Sequence, residues 1–235
     1  MAAEATITGS RELSRPELIE PGYSPSWHAV RSLTLATLFG AAGLYFARTA
    51  AAIDWLFVPA FFVAANAIEW AFHRGPMHRV MGPPMFYKNH TLLHHRAFHH
   101  DHMEVDDMRE LGLIMMPWYT MLILFGIASP IALVAGLLRG PAVAGMFYFV
   151  AAGYFLLYES LHALYHMPRP LLKRLHLDGP LFAWLQAHHT HHHRLDRMSH
   201  VNFNVTVPLM DWVMRTNESA TAEALATPVG KHSPG

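Results

Sequence analysis

Four long apolar stretches divide the chain. Residues 111–138 and 140–158 contain no charged side chain, and the sequence Arg139-Gly140-Pro141 between them is typical of a tight turn. At a rise of about 1.5 Å per residue, the first stretch is longer than the hydrocarbon core of a bilayer, which is about 30 Å thick. We therefore predict a hairpin of two transmembrane helices, the first of them tilted or bent at Pro117 and Pro130.

The two earlier apolar stretches are shorter. Residues 32–47 lie between Arg31 and Arg48, and residues 55–68 lie between Asp54 and Glu69. Flanking charged side chains can extend such segments by reaching toward the membrane surface, so we expect two further transmembrane helices. A re-entrant or interfacial hairpin is the alternative for this pair.

Composition supports the membrane class. Hydrophobic residues make up 52% of the chain and charged residues only 14%, against about 25% charged residues in soluble domains. Lys+Arg and Asp+Glu are equal at 17 each, so nucleic acid is not an expected partner. With four spans, residues 72–109, residues 161–216 and the termini share one side of the membrane. That side holds most of the Lys and Arg, which predicts a multi-pass protein with this side and both termini in the cytoplasm.

Histidine is the most unusual feature of the composition. Of 19 histidines, 17 lie within residues 73–102 or 162–200, on the predicted cytoplasmic side. Residues three and four apart share a helix face, so pairs such as His90 with His94 and His162 with His166 can aim their imidazoles at one point. Neutral imidazole binds iron, zinc, copper or nickel. Four such sets supply more ligands than one ion can use, which favours two metal ions.

The remaining polar residues have less specific interpretations. His28, His176, His200 and His232 are isolated, and we expect them outside the site. Whether His99, His100 and His102 join it is left open by the sequence. Carboxylates near the histidines are candidates for orienting the ligands, or for ordinary solvated acids; they are Glu69, Asp101, Glu104, Glu159 and Asp196.

The histidine pattern resembles the fatty acid hydroxylase and sterol desaturase superfamily. The boxes HxxxxH, HxxxHH, HxxxH and HHxxHH occur here in that order, and the phrase from Asn202 to Trp212 resembles the end of many members, although Arg215-Thr216 stands where Gly-Thr is common. The resemblance implies an all-α integral membrane fold of about four transmembrane helices, with a cytosolic helical cap that holds a dinuclear, histidine-rich metal site. In this chain the membrane domain would be residues 28–216, between an N-terminal arm (1–27) and a flexible tail (217–235).

The same resemblance implies a ligand set and a cofactor. Carried over residue by residue, the ligands would be His73, His78, His90, His94, His95, His162, His166, His189, His192 and His193, with His188 as a close contender. The metal would be two iron ions, which zinc can replace in purified protein. The implied reaction is activation of O2 and hydroxylation of a C–H bond in a membrane lipid, most simply a fatty acyl chain.

Other functions remain open at this point. Desaturation, or hydroxylation of a sterol or carotenoid, would use the same site. A membrane metal-binding or transport protein is the alternative of another class, although transporters place ligands near the middle of the bilayer, where this chain is apolar.

Oxygen activation needs electrons from outside the substrate. The chain has no cysteine for an iron–sulfur cluster and no glycine-rich dinucleotide fingerprint, and its short ends offer no room for a fused redox domain. We therefore expect electrons from NAD(P)H through an external partner, a ferredoxin or a cytochrome b5-like protein, together with its reductase.

Overall fold

The computed structural model describes residues 14–219, and within these residues the regular structure is helical, without a strand. The α-helices are α1 (Arg15–Leu18), α2 (Pro25–Ala47), α3 (Phe57–Phe72), α4 (Pro84–Tyr87), α5 (His95–Ala97), α6 (Thr120–Arg139), α7 (Pro141–Tyr165), α8 (Arg169–Arg174), α9 (Pro180–His192) and α10 (Leu209–Val213). Shorter 3₁₀ turns cover Ala52–Leu56 and Met108–Leu113, and π-helical turns cover His73–Met77 and Lys88–His94. Residues 1–13 of the predicted arm and residues 220–235 of the predicted tail lie outside the described part.

In the described part of the chain, four helical runs are long and apolar enough to cross a membrane, as the sequence predicted. They are α2 with 23 residues, the continuous run Ala52–Met77 with 26, α6 with 20 and α7 with 25. At about 1.5 Å per residue, each reaches about 30 Å or more. The first pair is longer than its apolar stretches suggested because Pro25 starts α2 early and turns at both ends extend α3.

The predicted span from residue 111 was wrong in its first part. Leu111, Leu113 and Ile114 are buried against Phe98 and other apolar side chains outside the membrane helices. The third membrane helix begins only at Thr120, so Pro117 precedes it instead of bending it. An uncharged sequence has the same appearance whether lipid or protein covers it, which is why the pattern could not place this boundary.

Helix α7 is the centre of the bundle. In its most apolar window 56% of the residues are buried, against 17–22% in the other three runs. It meets α2 where Gly43 faces Gly145, and a Cβ added to Gly145 would lie 2.6 Å from the carbonyl oxygen of Gly43. Glycine at both positions lets the two backbones approach, as is common between membrane helices. Leucines on the outer faces of the other helices stay exposed, as a lipid environment requires.

The short helices form a cap at one end of the bundle. Arg15 of α1 holds part of this cap, because its guanidinium donates hydrogen bonds of 2.6–2.8 Å to the backbone carbonyls of Ala97, His102 and Glu104. It also donates to the buried Glu110 carboxylate at 3.1 Å. The described part of the predicted arm therefore lies against the cap.

Candidate metal centre

The ten histidines predicted as ligands converge in two groups of five. The first group is His73, His78, His90, His95 and His192, and the second is His94, His162, His166, His189 and His193. In each group, one nitrogen from every ring lies within 4.8 Å of the others. None of the ten side chains is more than 6% exposed. Either group could hold a metal ion; that all ten are ligands stays a prediction.

The division of the boxes between the groups differs from the sequence interpretation. We expected His90 and His94 to aim at one point, but residues 88–94 form a π-helical turn, in which residues five apart come together. His90 therefore meets His95, with 3.0 Å between their Nε2 atoms, while His94 belongs to the second group. A π-helical turn at His73–Met77 likewise puts His73 and His78 in one group.

Neighbouring histidines link the two groups. His94 and His95 are adjacent in sequence but belong to different groups, and the same is true of His192 and His193. The ring centres of His95 and His193 are only 4.3 Å apart across that division. The two candidate ion positions are therefore neighbours in one centre.

Backbone carbonyls fix the orientation of half of the rings. The Nδ1–H groups of His94, His166 and His193 donate to the carbonyl oxygens of Leu113, Met103 and Phe98 at 2.6–3.0 Å. In the first group, the Nδ1 atoms of His73 and His192 bond to the carbonyls of Phe203 and Val201. A ring that carries its proton on Nδ1 presents a lone pair on Nε2, which is the form that binds a metal.

The nitrogen positions fit bound metal ions. In the second group, Nε2–Nε2 distances are 3.0 Å (His189–His193), 3.1 Å (His94–His162), 3.2 Å (His94–His193) and 3.4 Å (His166–His189). Two nitrogens each about 2.1 Å from one ion lie about 3.0–3.4 Å apart at octahedral or tetrahedral angles.

A proton shared between the two rings is a poor substitute for a metal ion in this arrangement. His94 and His193 both use their Nδ1 proton on a carbonyl, so their Nε2 lone pairs face each other. Burial lowers the pKa of both rings well below 6.5, which disfavours an imidazolium between them. A cation held by the lone pairs satisfies both rings.

Two buried carboxylates hold the loop that orients the first group. Glu69 accepts hydrogen bonds from the backbone N–H groups of Val205 (2.5 Å) and Thr206 (3.2 Å). Asp211 accepts from the N–H groups of Phe203 (2.9 Å) and Asn204 (2.8 Å). These bonds set the positions of the carbonyls that bind His73 and His192.

The sequence named Glu69 among five candidate orienting acids but gave Asp211 no such role, although Asp211 stood in the phrase that resembled the superfamily. Of the other acids considered, Asp101 and Asp196 are exposed, and Asp196 pairs with Arg194. Glu104 and Glu159 accept from the backbone N–H groups of other segments, not from a ligand ring.

Several other histidines lie outside both groups. His188, the contender for the last box, directs Nε2 to the Asp211 carboxylate at 3.3 Å, and His191 bonds to Glu218 at 3.1 Å. Of the histidines that the sequence left open or isolated, His99, His100, His102, His28, His176 and His200 also lie outside the groups, and His232 is not among the described residues.

An apolar cavity of about 90 Å³ is lined by α3, α6 and α7 and by His73 of the first group. Phe61, Phe125, Phe155 and other apolar side chains form its wall within the bundle, and His73 is part of the same wall. Apolar material inside the membrane helices therefore has a place beside the candidate metal centre.

Comparison with known proteins gives no match: no protein-family model, no characterised protein and no solved structure matches this chain. Its resemblance to the superfamily therefore depends on the histidine boxes and the phrase that follows them. Two five-histidine groups and four membrane-length helices are compatible with a histidine-box membrane oxygenase, and they point to a metal-binding membrane protein.

Proposed function

We propose that this protein is an O2-dependent di-iron oxygenase that hydroxylates a C–H bond of a membrane lipid, with a fatty acyl chain as the foremost substrate. The observation that carries the proposal is the apolar cavity that His73 helps to line. A metal transporter needs a polar route across the bilayer, whereas this cavity brings hydrocarbon from the bundle to a buried histidine centre.

The bound irons would supply the reduction of O2 with two electrons and two protons, which places one oxygen atom in the C–H bond as a hydroxyl and releases the other as water. The chain itself contributes position and exclusion of water. Carbonyls fix the ligand rings, and the rings are almost fully buried. The aromatic wall of the cavity holds the alkyl chain against His73 and keeps bulk water from the reacting carbon.

The electrons come, in this proposal, from NAD(P)H through a separate ferredoxin or cytochrome b5-like protein and its reductase. We infer that the cap and both termini face the cytoplasm, because the cap carries most of the basic residues while the opposite end offers little beyond Arg48 and Arg139. A soluble donor could then reach the cap directly.

Lipid analysis of a host that lacks the protein, with and without its expression, tests this function. Hydroxylation adds 16 mass units to a lipid, desaturation removes two, and a transporter changes neither. We expect the +16 product with the wild-type chain and with His191→Ala, a matched histidine outside both groups, but not with His94→Ala. An unchanged lipid profile under iron-replete, aerobic conditions would exclude the proposed reaction in that host's lipids.

A further inference from the structure

The charged ends of the membrane helices indicate how deep each residue lies. Helix α6 covers 20 residues from Thr120 to Arg139, which is about 30 Å, the thickness of the hydrocarbon core. Arg139 pairs at 2.5 Å with Asp54, in the helical run Ala52–Met77, so both lie at the end far from the cap. The same rise along that run, counted from Asp54, ends near Arg74. The hydrocarbon boundary on the cap side is therefore close to Arg74.

Helix α10 lies below that boundary, on the flank of α3. At its beginning, the backbone N–H of Met210 donates to the side-chain oxygen of Asn66 at 3.1 Å. Just beyond its end, the indole N–H of Trp70 donates to the Thr216 hydroxyl at 2.9 Å. Asn66 and Trp70 are one helical turn apart, about 12 Å and 6 Å below Arg74. The whole of α10 therefore lies beside a membrane-spanning helix, at the depth of the lipid chains.

The polar groups that α10 brings to this depth are satisfied within the protein. The Asn66 amide donates to the Val207 carbonyl at 2.8 Å. The Asp211 carboxylate is fully buried and accepts from the Thr216 hydroxyl at 2.6 Å. In hydrocarbon, an unpaired backbone group or acid would be costly. The segment is thus suited to an apolar environment, and its bonds account for a polar residue such as Asn66 in a membrane helix.

The outer face of α10 is apolar and exposed. It presents Val213, which is 63% exposed, between the exposed Trp212 and Met214. On α9, Leu181 is 70% exposed and shares a helix face with Trp184, whose ring centre is 6.1 Å from that of Trp212. We call these five side chains the α9–α10 patch. Exposed apolar patches mark contacts with proteins or membranes, and tryptophan is enriched at the membrane–water interface.

We propose that the α9–α10 patch is inserted into the lipid leaflet on the cap side, with phospholipid as its partner. The depth of α10 on α3 favours lipid over a soluble protein, because the patch continues the lipid-facing surface of the bundle. The inference does not depend on the proposed reaction. It places part of residues 161–216 in the leaflet, whereas the sequence predicted all of them on the cytoplasmic side. The loop whose Phe203 carbonyl binds His73 is then held at a fixed depth.

Fluorescence quenching of single labels in nanodiscs tests the insertion. The chain contains no cysteine, so one introduced cysteine carries one NBD fluorophore in the full-length protein. Val213→Cys and Leu181→Cys report on the patch. Leu133→Cys in α6, where the leucine is as exposed as Val213, is the control in lipid. Leu195→Cys, in the charged turn of residues 194–197, is the control in water. The quenchers are phospholipid with a nitroxide on its acyl chain, and iodide, which stays in water.

We expect the nitroxide lipid to quench both patch labels nearly as strongly as the label at position 133. Iodide should quench them at least about fivefold less than the label at position 195, because an unpaired ion is excluded from hydrocarbon. Each variant must first match the wild type in metal content, which shows that it is folded. If Val213→Cys fails that criterion, Met214→Cys replaces it on the same exposed face of α10.

Two results would overturn the proposal. Iodide quenching at either patch position as strong as at position 195 would place that part of the patch in water. Weak quenching by both reagents would show that protein covers the patch, either a second copy of the chain or another partner. Neither result would affect the proposed reaction, which lipid analysis tests separately.

Discussion

Replacing Glu69 by glutamine should release the metal of the first group. One carboxylate oxygen, Oε1, accepts from two backbone N–H groups that cannot turn away. The other, Oε2, accepts from the hydroxyls of Tyr154 and Thr206 and from the amide of Asn204. In the better orientation of glutamine its oxygen keeps the backbone donors. The NH2 group of the glutamine then takes the place of Oε2 and cannot accept a hydrogen bond. The hydroxyls of Tyr154 and Thr206 must therefore turn away, and the amide of Asn204 loses its acceptor.

The size of the effect follows from those bonds. Hydrogen bonds to a charged acceptor contribute about 1.5–3 kcal/mol each, so the loss of one and the weakening of two should cost about 3 kcal/mol. Part of that cost falls on the loop whose carbonyls hold His73 and His192. Removing such supporting groups typically lowers metal affinity by about 10–100-fold.

Metal retention during dialysis against a graded series of chelators measures this loss. We expect Glu69→Gln to release one ion at a chelator strength at which the wild type keeps two, while the second ion stays. Asp54→Asn is a matched acid-to-amide control, because Asp54 is buried at the other end of the same helical run, where it pairs with Arg139. The reasoning would be refuted if Glu69→Gln kept both ions as firmly as the wild type does. It would also be refuted if both variants lost both ions at the same chelator strength.

Three further predictions concern stability and ligand choice. His188→Ala should keep both ions and lose about 1 kcal/mol of unfolding free energy, since His188 bonds to Asp211; elemental analysis showing one ion would contradict this. Burial lowers the pKa of His189 and His192 well below 6.5, so as the pH falls these rings are protonated at a higher pH in the unfolded chain than in the folded protein. The unfolding free energy of the metal-free protein should therefore have its full value above about pH 6.5 and decrease as the pH falls toward 5. An unfolding midpoint that does not change with pH would contradict this prediction. Gly145→Ala should cost about 2 kcal/mol in detergent unfolding, whereas Gly153→Ala, with open space at its Cβ, should not.

Much of the site could be predicted from the sequence because histidine is rare and its spacing is informative. The ten histidines predicted as ligands converge, and within residues 14–219 the number of membrane-length helices is four, as expected. Both features depend on local patterns: uncharged runs long enough to span a bilayer, and imidazoles that recur within a helical turn.

The partition of the ligands could not be predicted from the sequence. It depends on π-helical turns at His73–Met77 and Lys88–His94, whose extra residue per turn is not apparent from the spacing alone. The carbonyls that orient the rings also come from distant parts of the chain, such as Leu113 for His94 and Phe98 for His193. Any residue type supplies a carbonyl, so no residue pattern indicates them.

The metal content of the purified protein tests the central claim most directly. After reconstitution with iron, elemental analysis of the wild type should approach two ions per chain. His192→Ala, which removes a ligand of the first group only, and His189→Ala, which removes one of the second group only, should each approach one. A reproducible value of one or zero in the wild type would contradict the two-metal centre on which the proposed oxygenase depends.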